Sequence, residues 1–341
     1  MCIRDRDFLK LTSGTTGTPR AIRFRAGQLL ADCEHICASM GIADTDLNFG
    51  VIPFSHSYGF SNLISPLVCR GVPLVATGDR IPRAVLNGLV QTGATVLPAT
   101  PLLFQKMEDT ENAPVLPKLR LCISAGAPLP KSVAERFTAR FGVKIHAFYG
   151  SSECGGITYD ASEETRCEEG FVGTSLRGVE IAHDAEKPGA IAIRSAAVGD
   201  GFFPESEDGQ LAGGVFRPGD LVRQTERGIY LAGRVSDWIN VAGRKLNPLE
   251  VEERLAQFPG IRQVVVFGMA SALRGEEPVA CVAGEGIDRE ALLRFCRERL
   301  SAWQVPRDVW FVSEIPANER GKTSRRALAE SYATQRISRV S

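Results

Sequence analysis

The sequence predicts an α/β protein: a parallel α/β subdomain, then a small antiparallel β-subdomain, then an α+β C-terminal domain. Three observations carry this. From Asp46 to Tyr149 short β-like runs alternate with helical patterns, the texture of a mostly parallel sheet with helices on its faces. From about residue 170 to 233 short strands and turns follow one another with no helix-length periodic segment between them, as in antiparallel meanders. Beyond Gly233-Arg234-Val235-Ser236-Asp237 strands and helices mix again over roughly a hundred residues, enough for a module of its own.

Taken in order, residues 1–7 show no periodicity and read as a non-native leader. The apolar-polar stretch Phe8–Leu11 is a strand that runs into the hydroxyl- and glycine-rich segment Leu11–Arg20. Strands are expected at Leu47–Ile52, Val72–Ala76, Thr95–Pro98, Leu119–Ile123 and Val143–Phe148, with helices such as Pro82–Gln91 and Pro130–Phe141 between them. The antiparallel region contributes Gly178–His183, Gly189–Ser195, Asp220–Gln224 and Gly228–Leu231. The C-terminal module follows as helix Pro248–Gln257, strands Gln263–Gly268 and Pro278–Ala283, helix Asp288–Leu300, strand Val309–Val312 and a last helix after Lys322. The resulting division is 8–235, split into an α/β part 8–169 and a β part 170–235, followed by 236–341.

Forty basic residues balance forty acidic ones, which removes the electrostatic case for nucleic acid or an anionic membrane. Apolar stretches are too short for a membrane span, and the N-terminus carries no targeting pattern, so the cytoplasm is the expected compartment. The nine cysteines include no C-x-x-C pair, so neither a disulfide framework nor a zinc site is indicated. Cys33 and Cys37 would share a helix face that His35 leaves.

The segment Thr12-Ser13-Gly14-Thr15-Thr16-Gly17 can turn backbone N–H and hydroxyl groups onto one anion, because glycines remove the Cβ atoms that block close approach. It is read as a phosphate loop. Gly17 is followed by Thr18-Pro19-Arg20, which excludes a Walker-type loop. Three further candidates follow expected strands: Pro53-Phe54-Ser55-His56-Ser57-Tyr58-Gly59, Ser124-Ala125-Gly126-Ala127-Pro128 and Tyr149-Gly150-Ser151-Ser152-Glu153. Ligands of parallel sheets bind at those strand ends.

Together these segments resemble the adenylate-forming (AMP-binding) enzymes, a superfamily of acyl-CoA synthetases, luciferases and peptide-synthetase adenylation domains. The Tyr149–Glu153 run resembles the family's Tyr-Gly-x-Thr-Glu motif with Ser152 in the threonine place. The resemblance implies that Tyr149 and Gly150 face an adenine, Ser152 bonds a phosphate oxygen and Glu153 is a Mg²⁺ ligand. It implies that Gly126, Ala127 and Pro128 pack on the other adenine face, and that His56 stands beside the carboxylate channel and the α-phosphate. Phe216-Arg217-Pro218-Gly219-Asp220 resembles Tyr-Arg-Thr-Gly-Asp, whose aspartate, here Asp220, accepts from the ribose hydroxyls. In Gly233–Lys245, Arg234 would reach the nucleotide, Ser236 would be the hinge of a mobile C-terminal domain, and Gly243 would line a pantetheine tunnel. Asn240 stands where lysine is frequent. Gly321-Lys322-Thr323-Ser324-Arg325 resembles the motif carrying the catalytic lysine, Lys322.

The resemblance thus implies an acyl-CoA synthetase that uses ATP, Mg²⁺ and coenzyme A. A small carboxylic acid would be activated to an acyl-adenylate with release of pyrophosphate, then passed to CoA. The catalytic residues would be Lys322, His56, Glu153 and Arg234. An alternative within the class is an amino-acid or aryl-acid adenylation domain that loads a carrier-protein phosphopantetheine. No Asp or Glu occurs from Pro53 to Leu63 to meet a substrate ammonium. In the superfamily a long region precedes the phosphate loop, so this chain is expected to lack the N-terminal third, and a truncated, catalytically incompetent nucleotide-binding fragment is the alternative of another class.

Overall fold

The computed structural model describes residues 8–11, 20–164, 168, 170–183, 189–205, 209–234, 237–271, 275–316 and 323–338. Its central feature is a run of parallel strands ordered Leu74–Ala76, Asn48–Gly50, Val96–Ala99, Leu121–Ser124 and Ile145–Ser151. The strand that comes first in the chain lies between the second and third, so the order reverses beside it, the point at which sheets of this kind bind ligands at their carboxyl ends. Val96–Ala99 and Leu121–Ser124 are buried at every position, as strands covered on both faces must be. That is why they read as continuous apolar runs.

Helices Pro82–Thr92, Pro101–Glu108 and Lys131–Phe141 supply cover. Proline at the start of the first two costs no hydrogen bond, because an N–H there has no partner within the helix. Gly93 and Gly142 end their helices in the left-handed region, at φ +68° and +72°, where glycine is least strained. Phe104 and Phe137 meet edge-on at 5.1 Å and lock two of these helices together.

The antiparallel strands carry the same ladder onward. Gly155–Tyr159 folds back against Ile145–Ser151, Phe171–Ser175 pairs with Gly155–Tyr159, and Gly228–Arg234 follows. Asp220–Thr225, Gly189–Ser195, Val215–Phe216 and Leu211–Ala212 continue the hydrogen-bonded path on this side, with Val179–His183 paired to Gly189–Ser195 off it. A separate small sheet joins Phe8–Leu11, Ala21–Phe24 and Gly201–Phe203. Helix Ala26–Met40 buries Asp32, Cys33, Ile36, Cys37 and Met40.

The chain divides into two compact units, Met1–Pro218 with Val222–Leu231, and Gly219–Leu221 with Ala232–Ser341. In the second, Ile261–Ser271 and Gly275–Gly284 form a long hairpin, and Asp308–Val312 pairs in parallel with its second strand. Alternate residues feed two cores, as the two-residue period of a strand requires. Val266, Ala280 and Val282 pack with Val251, Leu255 and Leu292 of helices Pro248–Leu255 and Arg289–Arg299. Phe267 and Cys281 pack instead with Leu328 and Tyr332 of helix Arg325–Ser338. Among the described residues no helix is long and apolar enough to cross a membrane.

Candidate functional site

The loop after strand Asn48–Gly50 is built around a close backbone approach. Pro53 O accepts the His56 N–H at 3.0 Å, and a Cβ on Gly59 would stand 2.2 Å from the same oxygen. The Pro-x-x-His-x-x-Gly spacing is therefore a packing requirement, since only glycine leaves room. His56 Nδ1 accepts the Tyr58 N–H at 3.1 Å, which fixes the plane of the imidazole. Tyr58 is buried and donates its hydroxyl to Ile123 O at 2.8 Å, tying the loop to the strand that ends before Gly126. Burial pushes that phenol well above its ordinary value, so it stays a neutral donor.

Tyr149 and Gly150 end a strand, and the register shifts between them. A Cβ on Gly150 would lie 2.8 Å from Gly155 O. Beyond it Ser57 Oγ donates to Ser152 Oγ at 2.7 Å, so the His56 loop and the Glu153 turn meet directly. The Ser151 hydroxyl donates to Glu153 Oε2, the Glu153 N–H donates to Ser151 Oγ at 3.2 Å, and Glu153 O accepts from the Gly199 N–H at 2.9 Å. Gly126 adopts φ +88° at a neighbouring strand end, with Ala127 half-buried and Pro128 exposed. Residues Thr12, Ser13, Gly14, Thr15, Thr16 and Gly17 lie outside the described residues. Arg20, the next described residue along the chain, stacks its guanidinium 3.9 Å from the Phe202 ring centroid.

In the second unit Arg234 Nε donates to Asp220 Oδ1 at 2.6 Å, so these two expected nucleotide ligands are brought together. Gly243 follows Ala242 at a turn with φ +82° and +51° respectively. Asn240 closes that turn, its Oδ1 accepting the Gly243 N–H at 3.0 Å, which is a use for the side chain that a lysine could not fill. Ser236 and Lys322 lie outside the described residues. The base of the Lys322 motif is visible at Arg325, which donates to Asp237 Oδ2 at 2.6 Å and to Glu252 Oε1 at 2.8 Å. Burial raises the Glu252 carboxyl above its ordinary value, against the opposing charge of Arg325.

Sequence reasoning did not single out Asp32, Lys10 and Ser61. Asp32 Oδ1 accepts the Gly156 N–H at 2.9 Å and its Oδ2 accepts the Ser61 hydroxyl at 2.5 Å. A charged residue in an amphipathic helix reads as solvent-facing, so no sequence signal marked it.

Comparison with known proteins gives a consistent result. The profile of the AMP-binding enzyme family matches residues 5–203, and that of the AMP-binding enzyme C-terminal domain matches residues 250–322. A probable CoA ligase, CCL9, of Humulus lupulus is 29% identical over 345 residues, covering 95% of this chain and 66% of that protein. The long-chain-fatty-acid–CoA ligase of Bacillus subtilis (strain 168) is 28% identical over 341 residues, covering 94% and 61%. The chain thus spans about two thirds of the length of the curated relatives it matches. Among solved structures, ATP-bound MatB from Rhodopseudomonas palustris superposes with a TM-score of 0.88 at 24% identity, covering 97% of this chain and 69% of that one. The anthranilate CoA ligase AuaEII in complex with anthranoyl-AMP gives a TM-score of 0.81 at 24% identity, covering 96% and 68%.

Proposed function

Because the chain belongs to the AMP-binding enzyme family, we propose that it activates a carboxylic acid with ATP and transfers the acyl group to coenzyme A. The observation that carries this is the direct contact of Ser57 with Ser152, which puts an imidazole loop and a carboxylate turn side by side at the end of a parallel sheet. The relatives named as CoA ligases support CoA as acceptor, and the ATP-bound and anthranoyl-AMP-bound folds support the nucleotide.

In the first step the acid's carboxylate attacks the α-phosphorus and pyrophosphate leaves. Two anions must approach, so the protein's task is positioning and positive charge rather than proton removal. Glu153, with the Ser151 and Ser152 hydroxyls beside it, offers an all-oxygen donor set that suits Mg²⁺. When bound, that ion supplies positive charge to the triphosphate. His56, its ring plane fixed through Nδ1, lies beside the incoming carboxylate. Tyr149, Gly150 and the Gly126–Pro128 segment receive the adenine, Asp220 accepts from the ribose hydroxyls, and Arg234 donates to Asp220 and to the nucleotide. Residues 12–17 receive the leaving phosphates and Lys322 bridges carboxylate and α-phosphate. In the second step a thiol attacks the acyl-adenylate and AMP leaves, with Gly243 beside the pantetheine.

The Pro53–Leu63 segment holds no acidic residue, and Phe54 on it is exposed, which favours aliphatic or aryl acids over amino acids. Acid-dependent ATP–pyrophosphate exchange across fatty, aryl and amino acids tests the reading. Exchange with fatty or aryl acids, followed by thioester formation with CoA, is the expected outcome. Exchange with amino acids alone would overturn it.

A further inference from the structure

The hairpin of Ile239–Val241 with Arg244–Leu246 carries Gly243 in its turn, and that turn is held by two side chains to which the reaction above gives no role. Ala242 and Gly243 both stand at positive φ, +51° and +82°, the conformation that lets a two-residue loop follow the twist of its strands. An alanine in that region is strained unless its surroundings fix it.

Two hydrogen bonds in series do so. Asn240 Oδ1 accepts the Gly243 N–H at 3.0 Å across the turn, and the N–H of Asn240 itself donates to Glu276 Oε2 at 2.7 Å. Glu276 belongs to the strand Gly275–Gly284, whose first residue pairs with Val241, so the neighbouring strand of the sheet supplies the second clamp. Gly268 leaves space for it: a Cβ there would stand 2.9 Å from Glu276 Oε1, a close approach of the kind that places glycine inside a strand. On the other hairpin strand the Arg244 guanidinium lies 5.6 Å from the Trp303 ring centroid and the Lys245 ammonium 5.7 Å from that of Trp238, distances at which a ring face attracts a cation. Asn240 and Lys245 are cross-strand partners, so both strands of the hairpin are fastened. At its tip, nothing among the described residues lies within 4 Å of the position a Gly243 Cβ would take. The turn thus presents open backbone that a slender chain can approach closely.

We propose that Asn240 and Glu276 are positioning residues, which in series hold the Gly243 turn in the shape that receives the pantetheine arm of coenzyme A. Neither touches the reacting atoms. The inference rests on the reading of Gly243 as lying beside that arm. The thiol has to be delivered to the acyl carbonyl in one geometry, and an ångström of misplacement can cost about a hundredfold. Adenylate formation makes no call on the turn.

The test is calorimetric titration of the intact protein with CoA in the presence of AMP, alongside thermal melts and acid-dependent ATP–pyrophosphate exchange. Asn240→Ala, Asn240→Lys and Glu276→Ala should each weaken CoA affinity by roughly 10–100-fold, with exchange at the parent rate. Glu276→Gln keeps an oxygen that accepts the Asn240 N–H and should bind CoA nearly as the parent does. Both Glu276 variants lose the same charge, so the difference between them isolates the hydrogen bond. Asn240→Lys brings a cation toward an anionic ligand but offers the Gly243 N–H no acceptor, so its loss separates the shape of the turn from its charge.

Equal weakening in Glu276→Gln and Glu276→Ala, or CoA affinity in Asn240→Lys at or above the parent's, would overturn the proposal. So would variants that lower Tm but keep CoA affinity below the melting range, or an equal fall in exchange and in CoA affinity. Should an alanine variant not fold, Asn240→Lys, at an exposed position, decides. Gly243→Ala run in parallel separates the two readings. Unchanged CoA affinity there removes the pantetheine reading, and with it the proposal, as does a parent that binds no CoA. Loss in Gly243→Ala with none in the Asn240 and Glu276 variants removes only the positioning.

Discussion

Asp220 is held at 2.6 Å by Arg234, which orients the carboxylate before any nucleotide arrives. If its oxygens accept the ribose hydroxyls, Asp220→Ala should weaken AMP binding by about 1.5–3 kcal/mol, the range for hydrogen bonds to a charged group. Equilibrium dialysis should then show the variant binding AMP and its 2′,3′-dideoxy analogue equally, while the parent prefers AMP. A second residue makes a stability prediction with a sign. Burial would raise the Asp46 carboxyl, but hydrogen bonds from Arg120, the Ala43 N–H and Thr95 outweigh it and hold the group below its ordinary 3.8. A depressed carboxyl stabilises the fold fully above its unfolded value, and that stability is lost as pH falls through the folded one. Asp46→Asn should therefore lower Tm clearly at neutral pH and by progressively less below about pH 4.

Among the elements, helix Arg325–Ser338 is anchored at its first residue by Asp237 and Glu252. Arg325→Met would leave Glu252 buried without its cation, a change that costs about 3–5 kcal/mol for buried pairs. The Glu252 carboxyl is already raised by burial, against the opposing charge of Arg325. A raised carboxyl favours the fold below its unfolded value, and that advantage is lost as pH rises through the folded one. The Tm deficit of Arg325→Met should thus shrink in acid, whereas Arg326→Ala, whose partner Glu330 shares its exposure, should show almost none at any pH. Much of this architecture was legible beforehand. Strands such as Val96–Ala99 stand out because burial on both faces demands unbroken apolar runs. The hairpin Ile261–Ser271 with Gly275–Gly284 is longer than its apolar runs suggest, because Glu276 and Glu277 look like loop residues although the ladder continues through them, and Arg262 sits at a bulge. Lys10 was hidden by inversion: Leu9 and Leu11, the apolar members of its strand, are the exposed ones at 41% and 76%. The His56 and Tyr149 loops were readable since Gly59 and Gly150 answer to close contacts. The Asp32 cluster was not, because its partners come together only through tertiary structure.

For the molecule as a whole, the proposed chemistry needs two half-reactions from one chain, and the resemblance makes Ser236 the expected hinge between them. Proline there fixes φ and removes a donor. Ser236→Pro should separate the two steps, altering either pyrophosphate exchange or CoA transfer from pre-formed acyl-adenylate far more than the other. Equal loss in both would place the pivot elsewhere. The order of the parallel strands also bears on how such a protein diverges. The proposed contacts from its first unit hang from strand-end loops, not from the strand interiors that make up the core. Within the His56 loop, Pro53, Tyr58 and Gly59 are committed to the frame, while Phe54 and Ser55 between them are exposed. Single substitutions at those two positions can thus be sampled without passing through an unfolded intermediate genotype. A saturation library at 54 and 55 should keep nearly all members folded and scatter them in acid preference, whereas one at 58 and 59 should lose most of its members to misfolding.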